Sequence, residues 1–115
     1  MSKNFTPLLP LALLLTATVA AHRFVSPAGA QVVADANSLG VSRTGDVAGT
    51  RIPVDCIGTA SVEAGAAVAI GATVKSDASG RAITWVTSGA RLGIALEAAT
   101  AAGQFIEVRL LDNAA

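Results

Sequence analysis

Tyrosine is absent from this 115-residue chain, and cysteine, histidine, tryptophan and methionine each occur once. Each scarcity excludes something. A lone cysteine, Cys56, forms no internal disulfide and has no second thiol for a metal site. It sits in an apolar strand pattern, which makes it a buried, inert thiol. A lone histidine, His22, makes a catalytic triad only beside an activated nucleophile, and no Gly-x-Ser-x-Gly element is present. Neither a phosphate-loop nor a dinucleotide-loop glycine pattern occurs. Charge of one sign is not concentrated anywhere. Eight basic residues balance eight acidic ones, and Arg43, Arg51, Arg81, Arg91 and Arg109 are scattered singly. Nucleic-acid binding needs clustered cations, so it is not expected. Asp46, Asp55, Glu63, Asp77, Glu97, Glu107 and Asp112 fall mostly in turns or on outward strand positions, as solvated carboxylates do. The chain is expected to have no catalytic residue, metal or cofactor.

What is present is small and apolar. Hydrophobic residues make up 52% of the chain, but aromatics only 3%. Alanine supplies much of the apolar count. Burying a methyl group stabilises far less than burying a Leu or Phe side chain, at about 1.5–3 kcal/mol each. A core built this way is thin for its length, so an oligomer or another partner is expected.

Residues 8–25 read LLPLALLLTATVAAHRFV. Lys3, the apolar run and Val19-Ala20-Ala21 follow the pattern of a secretory signal peptide. A membrane-spanning helix is disfavoured, because the run falls short of ~20 residues and Pro10 interrupts it. Pro7 and Pro10 favour extended backbone, and Thr16 to Val19 are rich in strand formers. Residues 1–15 are therefore read as an extended apolar arm. Residues 16–115 are read as one β-domain whose first strand is 16–25. An ordered apolar arm must be buried by something: its own domain, a sister subunit or a larger surface.

Further strands are expected at 31–33, 39–41, 51–56, around Val62, Val68, Ile70 and Val74, and at 81–87, 92–96 and 104–111. Ile52, Val54 and Cys56 share one strand face, while Pro53 calls for a sheet edge or a bulge. Ser76-Asp77-Ala78-Ser79-Gly80 reads as a hairpin turn with Gly80 at positive φ. Glu97 to Ala102 is alanine-rich enough for a helical turn. Leu39-Gly40-Val41 recurs as Leu92-Gly93-Ile94, and Ala48-Gly49 with the strand after it recurs as Ala102-Gly103 with its strand. Two similar units around a central hairpin suggest an all-β fold, a small compact barrel or sandwich.

Several of these segments, taken in order, resemble one family. They are Ser38 to Thr44, Gly58-Thr59-Ala60, Val62 to Ala66, Gly80-Arg81-Ala82, Ala95 to Ala99 and Val108 to Leu111. From Leu39 to Leu111 the chain is similar to the capsid cement, or head decoration, proteins of tailed bacteriophages. The Leu-rich N-terminus is the departure from that pattern. It keeps open the alternative of a secreted or periplasmic β-domain that binds a ligand or surface. The resemblance implies a β-tulip-like domain on the outer surface of the virion. It would bind as a trimer, or less often a dimer, where HK97-type major capsid proteins meet. It implies no nucleic acid and no membrane as partner. The candidate interface is then the arm: Asn4, Phe5, Pro7, Leu8, Leu9, Leu11, Leu13, Leu14 and Leu15.

Overall fold

A computed structural model of the chain describes residues 7–111. Those residues form eight strands and no helix. They are β1 (Pro7–Leu14), β2 (Phe24–Val25), β3 (Gly40–Ser42), β4 (Arg51–Glu63), β5 (Thr73–Ser76), β6 (Ala82–Thr84), β7 (Gly93–Ala95) and β8 (Phe105–Leu110). The all-β expectation holds.

β4 organises the rest. Its even positions are apolar along its whole length, as period two requires of one buried face. Ile52 and Val54 join Leu15, Val19 and Val25 in a smaller core cluster. Ala60 and Val62 join Phe24, Val41, Val74, Ile106 and Val108 in a larger one. The first part of β4 pairs antiparallel with β1, from Leu14↔Arg51 to Pro7↔Gly58, and on its other side with β3. The second part pairs with β8, from Thr59↔Arg109 to Glu63↔Phe105. The change of partner falls at Gly58, whose φ is 101°. L side chains rarely adopt that backbone, so glycine is required where the strand turns from one half to the other.

The strand order is β2-β3-β4-β8-β7-β5-β6, with β1 paired to β4 outside that path. The path is open, so the arrangement is sandwich-like and not a closed barrel. Its two ends nevertheless share the larger core: Phe24 from β2 packs with Val74 and Ala82 from β5 and β6. Across that gap the Phe24 amide donates to the Gly80 carbonyl at 2.8 Å.

The two sequence units extend into a full structural repeat. β1, β2, β3 and the first part of β4 correspond to the second part of β4, then β5, β7 and β8. Leu15 exchanges backbone hydrogen bonds with Gly49 and Thr50, and Ala64 does the same with Gly103 and Gln104. Val19 bridges Asp46 as Val68 bridges Ala99. His22 donates to the Ser42 carbonyl at 2.7 Å, and Gly71 donates to that of Ala95 at 2.7 Å. Even the unusual backbone is shared, with φ of 61° at His22 and 84° at Gly71. Gly40 and Gly93 also correspond. A Cβ at either would press into the facing strand, on the Asp55 carbonyl or on Val108 and the Arg109 carbonyl.

Several local expectations change. The strand expected at 16–25 is only Phe24–Val25, because the chain bends at His22. Gln31 makes a single bridge to Val25 where a strand at 31–33 was expected. Pro53 lies inside the sheet, between β1 and β3. It is tolerated because β3 ends there: the Pro53 carbonyl accepts from Arg43, just beyond Ser42, so the missing donor faces the end of a ladder. No helical turn forms at 97–102. Ala99 is held by its bridge to Val68, and the Thr100 amide donates to the Gln104 side chain. The Asp77–Gly80 turn forms as expected: Asp77 Oδ1 accepts from the Ser79 and Arg81 amides, and Gly80 has φ 78°.

Replacing Gly58 with valine is expected to lower the unfolding free energy by about 1–3 kcal/mol through backbone strain. Urea titration of the variant checks this, and an unchanged midpoint would refute the pivot.

Candidate interaction surface

The candidate interface residues divide by position. Asn4 and Phe5 lie outside the described residues. Pro7, Leu8 and Leu9 are in β1, which pairs with this chain's own β4. Leu15 is 1% exposed and belongs to the smaller core cluster, and Leu13 packs against that cluster. Leu11 and Leu14 remain open, at 42% and 46% exposure. Ile57, 50% exposed, stands opposite Leu9 in the β1–β4 register. The structure thus leaves Leu11 and Leu14 on the surface and turns Leu15 inward. Alternation separates Leu14 from Leu13 and Leu15, whereas Leu11 is exposed although it shares their parity. Among the described residues, β1 has β4 as its one strand partner.

A second feature, which residue spacing did not reveal, is the seam between the halves. The His22 carbonyl accepts from the Glu63 amide at 3.0 Å. The His22 ring stacks edge-on against Phe105, with centroids 5.0 Å apart. Arg23 pairs with Glu63 at 3.1 Å, and Arg81 pairs with it at 3.5 Å. Lys75 pairs with Asp35 at 2.7 Å, and the Asp35 amide donates to the Ser76 carbonyl. Arg23 and Gln31 both donate to the Ser79 carbonyl. Comparing the halves position by position would have marked His22, which stands where the second half has Gly71.

Titratable chemistry is subdued. Asp55 is 2% exposed and is neutralised by Arg43 at 2.5 Å. Cys56 is half-buried, not fully buried as expected; that partial burial, and secondarily the Asp55 charge, push its thiol above the ordinary range. That keeps Cys56 protonated and poorly nucleophilic at neutral pH. Among the described residues no cluster of His, Cys, Asp and Glu could hold a metal ion.

A family model for phage cement proteins matches residues 9–110. The chain belongs to the phage cement protein family. It is a structural protein of the phage capsid, located on the capsid surface of the virion. The matched span begins within β1 and ends with β8, so the N-terminal strand is part of the family's domain. Among solved structures, the chain is similar to the head fiber gp8.5 N base of bacteriophage phi29. The TM-score is 0.73 at 16% identity, covering 91% of this chain and 95% of that one. At that identity the likeness concerns the fold. Comparison with curated proteins gives no match.

Two outcomes follow for this cement protein. Glu63→Ala removes both arginine partners' shared carboxylate at a partly buried seam and is expected to cost about 1–3 kcal/mol, read by thermal or urea unfolding. Cys56 in the folded protein is expected to react with a thiol reagent at pH 8 at least ~10-fold more slowly than in urea. Equal rates would show that burial does not protect it.

Proposed function

We propose that this cement protein works by binding energy alone: each copy bridges neighbouring major capsid protein subunits of the HK97-type fold on the outside of a phage head. Rupture of the shell then also requires rupture of these contacts, and many copies act together. The family match, which runs from β1 to β8, carries this reading. Three features support it. The exposed Leu11 and Ile57 put apolar area on β1 and on the strand it pairs with. The buried core is rich in alanine, as in a domain that gains from neighbours. The net charge of zero lets copies crowd on one shell without mutual repulsion. On this reading the exposed Leu11 of the N-terminal strand faces the capsid, and the bound form is a trimer in preference to a dimer.

The test is co-sedimentation with phage heads stripped of decoration. The expected result is saturable binding in a fixed ratio to the major capsid protein, with greater resistance of the heads to heating. A Leu11→Glu/Ile57→Glu double variant should keep its fold and bind at least ~10-fold more weakly. Truncation is the wrong instrument, because removing residues 2–15 also removes β1 and the buried Leu15. Failure of the wild-type chain to sediment with heads would overturn the reading.

A further inference from the structure

The two halves dock through contacts that the repeat leaves unused at both of its ends. In the second half, the outward edge of β4 is covered: Glu63 donates to the His22 carbonyl, and the Ser61 carbonyl meets the His22 ring at 3.1 Å. The corresponding edge in the first half is β1, with Leu14 in the place of Glu63 and Ala12 in the place of Ser61. This follows from register: Leu14↔Arg51 and Ala12↔Pro53 match Glu63↔Phe105 and Ser61↔Glu107. Burial shows the difference. Ser61 is 4% exposed, whereas Ala12 and Leu14 are exposed.

The part that covers the edge is also duplicated. His22 corresponds to Gly71, with the same positive φ and the same amide bond to the neighbouring strand. His22 is half-buried in the seam, but Gly71 is exposed and a Cβ there would meet nothing within 4 Å. Ile70 and Leu96 adjoin the bonded pair Gly71–Ala95, and they are 68% and 40% exposed. One copy therefore carries an edge that its own Gly29 covers at Thr16 and the Leu14 carbonyl but leaves open from the Leu14 amide to Ala12, and it also carries an open corner at Gly71. They have the geometry of the joint already made within the chain.

We propose that the β1 edge of one copy receives the Ile70–Gly71 corner of a second copy, repeating between chains the contact that His22 makes within one. Backbone direction favours a corner over an added strand. Leu15 bonds across to Thr50 and Gly49, so by alternation Leu14, Ala12 and residue 10 face outward. Residue 10 is proline and donates nothing, which stops a full ladder along this edge. The outward amides of Ala12 and Leu14 remain for a short contact, and Leu14 beside Ile70 supplies apolar burial. The contact is head-to-tail, so it closes into a ring where the rotation permits. It names the partner of the Ala12–Leu14 edge as a second copy and leaves the exposed Leu11 and Ile57 for the capsid. It rests on the capsid reading only for where that assembly is used.

The test is the solution mass of the full chain without heads, by sedimentation velocity and native mass spectrometry up to ~100 μM. Wild type is expected to associate. Leu14→Glu and Ile70→Glu, each with unchanged circular dichroism, are expected to be monomeric alone. Mixed in equal amounts they should form a heterodimer, because one retains a sound corner and the other a sound edge. A wild-type chain that stays monomeric, variants that associate as wild type does, or a mixture that gives no heterodimer would each overturn the proposal. Because no capsid is present, these results stand apart from the co-sedimentation outcome.

Discussion

β4 is shared. Its thirteen residues close one half of the molecule through β1 and β3, and the other half through β8. Neither half can bury its apolar face without it, since Ile52 and Val54 line one cluster and Ala60 and Val62 the other. Fraying β4 therefore exposes both clusters at once, which couples the halves into one folding unit. Gly58 is the point of compromise. The strand must stay continuous while its partners change, and only a residue without a Cβ accepts the backbone that this imposes.

Much of this was legible in the sequence, for stated reasons. Period-two alternation marked Ile52 and Val54, and likewise Ile106 and Val108, because burial on one strand face is a local pattern. The Asp77–Gly80 turn was legible because its chemistry sits within five residues. The N-terminal strand was harder. Leucine suits a strand, a helix and a signal segment alike, and the partner of β1 lies some forty residues away, at 51–58. Which leucines face outward depends on that distant pairing, so Leu14 and Leu15 could not be told apart in advance. The repeat was half visible. Leu-Gly recurs at Leu39 and Leu92, but His22 and Gly71 share no chemistry, only a backbone angle and a hydrogen bond.

The alanine-rich core also fits a protein that works by contact. Ala60, Ala64, Ala82, Ala90, Ala95 and Ala99 are all buried. Small side chains let strands and loops approach closely and leave little room for a cavity. The largest buried side chains, Phe24, Leu15 and Ile106, are few and come from three separate parts of the chain. The interior thus fixes shape with modest stabilisation, and Leu11, Leu14, Ile57 and Ile70 leave apolar area outside it.

The register of β4 has one more consequence. Pro7 lies opposite Gly58, and Arg109 lies opposite Thr59. The start of β1 and the end of β8 therefore meet at the middle of the same strand. A short linker could join those two points, and the chain could be reopened at the exposed Gly49, where a side chain would meet nothing within 4 Å. Every strand pairing would survive. The topology is that of a closed loop, and its order of synthesis is one of several circular permutations that the same contacts would hold.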